Sequence, residues 1–275
     1  MRGYARPKTL DEALGLIAQS PRRFLAGGTD LYPAAGLQLE GDVLDLSAIP
    51  ALCGITLGAG LRIGACTTWT AIAEADLPPA LRCLQQAARQ VGGRQVQNAG
   101  TIGGNLCNAS PAADGVPPLL ALDAEIELAG PEGVRRMPLA QFLTAPRQTL
   151  RKPDEVLTAV ILPEAALRGT SAFVKLGARA YLVISIAMVA MRLQVSEGRI
   201  SALAIAVGAC SGVAQRLHMA EAALLGAPVA SASALLDPAH VASALSPIDD
   251  VRATADYRLA ATTELVRRAL QEVPA

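Results

Sequence analysis

Gln95-Val96-Gln97-Asn98-Ala99-Gly100-Thr101-Ile102-Gly103-Gly104-Asn105-Leu106-Cys107-Asn108-Ala109-Ser110-Pro111-Ala112-Ala113-Asp114 mixes glycine with small hydrogen-bonding side chains over a length that no single turn needs. It reads as the heart of a long glycine-rich loop over residues 92–114. Paired glycines let a chain turn tightly and let bare backbone N–H groups face an anion. Thr101, Asn105, Asn108 and Ser110 add side-chain donors. A second segment of the same kind lies upstream: Leu25-Ala26-Gly27-Gly28-Thr29-Asp30-Leu31. Two such loops closing from opposite sides suit a pyrophosphate. The competing reading is two ordinary turns, and the spacing suits FAD, NAD or another phosphorylated ligand equally well. Neither loop fits a Rossmann or Walker fingerprint. Gly58-Ala59-Gly60-Leu61-Arg62-Ile63-Gly64 comes nearest, but its final spacing is wrong and it reads as a hairpin.

Outward from the first loop, Thr9-Leu10-Asp11-Glu12 fits a reciprocal capping box that starts a helix to about Ala18. Arg23 to Ala26 reads as a buried strand feeding the loop, and Val43 to Leu46 as another. This is a small unit of alternating strand and helix. Short strands at Ile55–Leu57 and Leu61–Ile63 follow, then a helix from Pro79 to about Gln90. Beyond the long loop come a helix near Pro118–Leu122 and strands at Glu125–Leu128 and Val156–Leu162. The last third opens with strands at Phe173–Leu176 and Val183–Leu193, turns at Glu197-Gly198 into a strand at Ile200–Val207, and ends mostly in helix, including Glu264 to Gln271.

Composition narrows the function. Hydrophobic residues are 52% and charged residues 17% of the 275, which argues against disorder. Lys plus Arg equals Asp plus Glu at 24 each, so no global positive field draws in nucleic acid or an anionic membrane. An anionic cofactor has to be held by local geometry. The N-terminal stretch MRGYARPKTLDEAL has no signal-peptide core. The apolar run Tyr181–Met191 is too short to span a bilayer and reads as a buried strand. Cys53, Cys66, Cys83, Cys107 and Cys210 are scattered without a CxxC pair, which suits a reduced cytoplasm and no metal site of this chain's own.

Catalytic candidates are few. His218 lies in a polar helical stretch and His240 in an irregular region, neither beside a nucleophile. Asp114 reads as a loop hydrogen-bonder, Asp123 as a helix-end residue and Cys107 as a small buried filler. No catalytic residue is assigned, and any redox chemistry belongs to a cofactor.

Taken in order, the motifs resemble the FAD-binding medium subunit of the molybdenum hydroxylases. They are Tyr4-Ala5-Arg6-Pro7, Ala26–Leu31, Gln95–Asn98, Thr101–Asn105, Asn108–Asp114, Pro247-Ile248-Asp249-Asp250-Val251-Arg252 and Tyr257-Arg258. The resemblance implies an α+β protein: a two-lobed FAD-binding domain over 1–168, made of a small α/β lobe at 1–52 and an antiparallel-sheet lobe at 53–168, followed by a C-terminal α+β domain at 169–275. It implies FAD extended between the first two lobes. Leu25, Ala26, Gly27, Gly28, Thr29, Asp30 and Leu31 would wrap the pyrophosphate, and Thr101, Gly103, Gly104, Asn105, Asn108, Ser110 and Asp114 would clasp the cofactor from the second lobe. Asp114 would hold the adenosine ribose, Val91 and Gly92 would lie near adenine with Leu157, and Lys175 would approach the isoalloxazine ring with Tyr181 beside it. The implied partners are a small subunit with two [2Fe–2S] clusters and a large subunit with the molybdenum cofactor, as a dimer of heterotrimers. Electrons would pass from the clusters through flavin to an external acceptor. The alternative is a nucleotide-binding scaffold or assembly subunit without redox activity. Where many relatives carry an arginine pair and aspartates after the lysine, this chain reads Gly177-Ala178-Arg179-Ala180-Tyr181-Leu182-Val183, with no acid.

Overall fold

Thr9 starts the first helix as expected, though the cap is only half reciprocal. In the computed structural model, which describes residues 3–36 and 39–272, the Thr9 hydroxyl accepts from the Glu12 N–H at 3.2 Å. The Glu12 carboxylate accepts from the Lys8 N–H at 2.9 Å, one residue short of the expected partner. Met1, Arg2 and the last three residues, which the N-terminal and C-terminal expectations include, lie outside the described residues.

The chain runs through β1 (Tyr4–Ala5), α1 (Leu10–Gln19), β2 (Arg23–Leu25), the single-turn α2 (Leu31–Ala34) and β3 (Val43–Asp45). The strands make a parallel sheet in the order β1-β3-β2. Ala13 and Ile17 of α1 close over Leu44, Leu46, Ile49 and Leu52, and Cys66 and Val156 from later in the chain complete this core.

A larger unit follows: β4 (Ile55–Leu57), β5 (Leu61–Gly64), α3 (Trp69–Glu74), α4 (Arg82–Ala88), α5 (Arg94–Ala99), α6 (Ile102–Asn108), α7 (Val116–Ala121), β6 (Glu125–Gly130), β7 (Gly133–Pro138), α8 (Leu139–Phe142), β8 (Leu143–Ala145), β9 (Gln148–Thr149) and β10 (Val156–Leu162). Five strands pair antiparallel in the order β4-β5-β10-β6-β7. The inner strand β10 is almost continuously apolar, as a strand buried on both faces should be. It bulges between Leu157 and Ala159. Trp69, Leu84, Leu106 and Leu119 from the helices share one core with Ile63, Ile126, Leu128 and Val160 from the sheet.

The remainder comprises β11 (Thr170–Leu176), β12 (Ala187–Ser196), β13 (Arg199–Gly208), β14 (Gln215–Arg216), α9 (His218–Leu224), α10 (Val229–Leu235), α11 (Pro238–Ala242) and α12 (Ala255–Glu272). Its four strands pair antiparallel in chain order. Glu197 and Gly198, at φ of 53° and 71°, make the tight hairpin that the sequence signals. Val189, Ile205, Val207, Val266 and Leu270 anchor its core.

Four expectations need correction. Residues 92–114 are not one loop, because α5 and α6 lie inside them. Glycine argues against helix at about 1 kcal/mol each relative to alanine. That cost is offset by the Thr101 cap and by burial of Ile102 and Leu106. The run from Tyr181 to Met191 enters the sheet only at Ala187. Before it the chain leaves the sheet, with Leu182 at a φ of 52° and its carbonyl held by Arg179. Arg23 at the start of β2 is exposed, so that strand is not wholly buried. His240 sits in α11, whose first turn the Asp237 carboxylate caps.

Candidate functional site

The parallel sheet delivers the first loop. β2 ends at Leu25, whose carbonyl accepts from the Leu46 N–H at 2.8 Å, and the chain then turns into Gly27-Gly28 at the carboxyl edge of the sheet. Ligands gather at that edge in parallel sheets. Gly28 has a φ of 70°, a conformation that other residues adopt only under strain. Gly27 is constrained differently: a Cβ there would overlap the Ala99 carbonyl and come within 2.8 Å of Gly100 Cα. Its backbone is pressed against the junction of α5 and α6. Among the described residues, the N–H groups of Gly27, Gly28, Thr29 and Asp30 have no protein acceptor.

The second segment is built the other way. At the start of α6 the Ile102 N–H donates to the Thr67 carbonyl at 3.1 Å and the Gly103 N–H to the Ala65 carbonyl at 2.8 Å. The Gly104 N–H donates to the Thr101 hydroxyl at 3.1 Å and the Asn105 N–H to the Thr101 carbonyl at 3.0 Å. The helix start therefore keeps its backbone donors for itself. Its glycines serve shape instead. Gly103 lies against Ala65, whose Cβ and carbonyl would be 2.7 Å from an added Cβ. Gly104 has only the Thr101 hydroxyl near it, at 2.9 Å, and otherwise faces open space. Asn105 Oδ1 is buried without a hydrogen-bond partner.

Between the two segments lies a cleft of about 480 Å3, within the range of small-molecule sites. Of the expected binding residues, Leu25 through Leu31, Val91, Thr101, Gly103, Gly104, Asn105, Asn108 and Leu157 line it. Gly92, Ser110, Asp114, Lys175 and Tyr181 do not. Gly92 is a turn residue with a φ of 53°, Ser110 accepts from the Ala112 N–H, and Tyr181 is 81% exposed.

Asp114 is buried rather than open to a ribose. Its carboxylate takes a 2.7 Å ion pair from Lys175 Nζ and a 2.7 Å hydrogen bond from the Ser185 hydroxyl. Burial pushes its pKa upward, partly countered by Lys175 and Ser185. Lys175 also donates to the Gln90 carbonyl at 3.3 Å. One ion pair cannot serve both the adenosine ribose and the isoalloxazine ring of an extended FAD, so the two expected roles exclude each other. Val91 and Gly92 follow Gln90 directly, on the Lys175 side, and Val91 shares the cleft lining with Leu157.

The cleft contains groups that sequence reading missed. Arg22, Arg23 and Arg151 line it, and among the described residues none has a carboxylate partner within ion-pair distance, whereas Asp30 is the sole acidic residue in the lining. A neutral chain thus concentrates positive charge where an anion would sit. Arg22-Arg23 at the start of β2 was a readable signal, but nothing in the sequence joins Arg151 to it. Cys107 is exposed in the cleft wall rather than buried. The surrounding protein pushes its thiol up to about 11, and burial takes Cys66 to about 12, so both stay protonated at neutral pH. Among the described residues, no three His, Cys, Asp or Glu side chains gather as a metal site, and no helix is long and apolar enough to cross a membrane.

Two family models cover most of the chain: the FAD binding domain in molybdopterin dehydrogenase matches residues 1–165, and the CO dehydrogenase flavoprotein C-terminal domain matches residues 171–273. A xanthine dehydrogenase FAD-binding subunit of Escherichia coli O157:H7 is 31% identical over 281 residues, covering 99% of this chain and 96% of that protein. A nicotinate dehydrogenase FAD-subunit of Eubacterium barkeri is 37% identical over 238 residues, covering 82% and 80%. In structure, a chain of the carbon monoxide dehydrogenase from Hydrogenophaga pseudoflava superimposes with a TM-score of 0.90 at 31% identity, covering 98% of this chain and 96% of that one.

Proposed function

Because the chain belongs to the FAD-binding medium subunits of the molybdenum hydroxylase family, we propose that it relays electrons from [2Fe–2S] clusters of a small partner to an external acceptor. A large partner would hold the molybdenum cofactor and the organic substrate, in a dimer of heterotrimers working in the cytoplasm. The division of the chain at 168, and of its first part at 52, belongs to the same proposal. It is supported by the separate parallel and antiparallel sheets and by family models that meet between 165 and 171, although the central core also takes in Phe173, Met188 and Ala206 from beyond that boundary.

The observation that carries the reading is the row of four N–H groups, Gly27 to Asp30, that have no protein acceptor among the described residues, in a cleft lined also by α6 and by arginines without a carboxylate partner among those residues. Such a row is a nest for a diphosphate. Gly104 supplies a wall without a side chain. These residues fit FAD. The groups assigned to it are Leu25 to Leu31, Thr101, Gly103, Gly104, Asn105, Asn108 and Leu157 along the cleft, with Val91, Gly92, Lys175 and Tyr181 toward the ring. Ser110 and Asp114 act behind them, Ser110 by shaping its turn and Asp114 by holding Lys175. When bound, FAD supplies the redox chemistry and accepts or donates one or two electrons. The chain's own residues bind it, orient it and set what reaches the ring.

The test is an absorbance spectrum and a substrate-reduction experiment on the complex purified with its partners. One FAD per chain, bleached when the organic substrate is added without an acceptor, is the expected result. Full FAD occupancy without bleaching would leave the chain a scaffold, and a flavin-free complex that still turns over would remove it from the electron path.

A further inference from the structure

We propose that Arg151 is the adenine platform of the cleft, a guanidinium plane fixed from behind on which the adenine of FAD stacks. The proposal rests on the FAD reading above and extends it to a residue that no motif marks. The course of the cleft places the two ends of the cofactor. Gly27 abuts Ala99 and Gly100, so the four free N–H groups sit where α5 meets α6. From there α6 forms the wall as far as Cys107 and Asn108, and Arg151, in the same lining, lies close enough to Cys107 to act on its thiol electrostatically. Lys175, bonded to the Gln90 carbonyl, belongs with the opposite end. With the diphosphate at Gly27 to Asp30, the adenosine half runs toward Arg151.

Arg151 is built to present a flat surface. Its guanidinium carbon lies over the Phe24 ring, 4.7 Å from the centroid. Its Nη1 donates to the carbonyls of Lys152 at 2.9 Å and Glu155 at 2.8 Å, which fixes the plane. It has no carboxylate partner among the described residues. A guanidinium set over a ring, with Nη1 spent on two carbonyls, keeps only its Nε–Nη2 edge for an anion. It is well placed to stack, since arginine planes pair favourably with the π-face of a base.

The test is titration of full-length apoprotein with FAD and with FMN, which lacks the adenosine half, followed by flavin fluorescence. Arg151→Ala is expected to weaken FAD about tenfold, the scale of one lost base stack, while FMN behaves alike with both proteins. Arg151→Lys keeps the charge but not the plane, and is expected to resemble Arg151→Ala; if the alanine variant fails to fold, the lysine variant alone decides. Three outcomes overturn the platform: unchanged FAD affinity, an equal loss for FMN, or wild-type affinity in Arg151→Lys, which would make charge the cause. A wild-type apoprotein that takes up no FAD would instead overturn the FAD reading itself, and the platform with it.

Discussion

Gly27 and Gly104 both line the cleft, yet substitution should separate their roles. At Gly104 the only neighbour an added Cβ meets is the Thr101 hydroxyl. Gly104→Val should therefore leave the apoprotein melting within a few degrees of wild type while flavin occupancy falls severely. At Gly27 the obstacle is backbone from α5 and the α5–α6 junction, so even Gly27→Ala should both lower the melting temperature and empty the site. Equal melting temperatures for the two variants would contradict the packing role assigned to Gly27. Asp114 makes a third case. Replacing it by Asn leaves Lys175 buried without its counter-charge, a change that costs roughly 3–5 kcal/mol in buried pairs. In a chain of this size that corresponds to a fall of about 5–9 °C in melting temperature. An Asn variant as stable as wild type would show that Lys175 finds another partner or turns out to solvent.

Among the elements, α12 carries the motif that the cofactor site leaves unused. Arg258 is buried in it and donates from Nη1 to the carbonyls of Ile186 and Ala209, and from Nη2 to Asp250 at 2.6 Å. Backbone N–H groups of Arg252 and Ala253, together with the Arg252 and Arg258 guanidinium groups, hold the Asp250 carboxyl down to about 2, against 3.8 for an ordinary aspartate. A depressed carboxylate stabilises the fold at every pH above its unfolded value and loses that contribution as pH falls through the folded one. The stability gap between wild type and Asp250→Asn should be full at pH 6 and close between about pH 4 and pH 2; a constant gap would mean that Asp250 acts without its charge. Local grammar made many elements readable: the Thr9 cap, the Glu197-Gly198 turn, and the strand running into Gly27-Gly28. It failed where contacts distant in sequence decide. α6 exists despite two glycines because Thr67 and Ala65 hold its first turn, and Leu182 stands outside the sheet despite its apolar neighbours, at a φ of 52° with its carbonyl held by Arg179. Arg151 was invisible for the same reason, since only the folded chain sets it over Phe24.

For the molecule as a whole, the proposal requires that chemistry on the organic substrate happen elsewhere. The flavin-loaded chain alone should show no substrate turnover, while the complex does; turnover by a preparation free of molybdenum and iron would refute the division of labour. In the proposed relay the segment after Lys175 governs the acceptor, with Leu182 and Val183 standing where acidic residues would border the flavin. The assembled complex should give a higher kcat/KM with a quinone or an artificial dye than with NAD. A preference for NAD would mean that this segment does not govern acceptor choice. The seam at Gly27 also sets a timetable for synthesis. The cleft takes one wall from residues 25–31, the other from 101–108 and its far end from 151–157. Chains emerge from the ribosome at about 5–20 residues per second, with N-terminal units folding first. The nascent small sheet would thus present its row of N–H groups for several seconds with nothing opposite it, and cofactor capture must wait until Leu157 has left the exit tunnel.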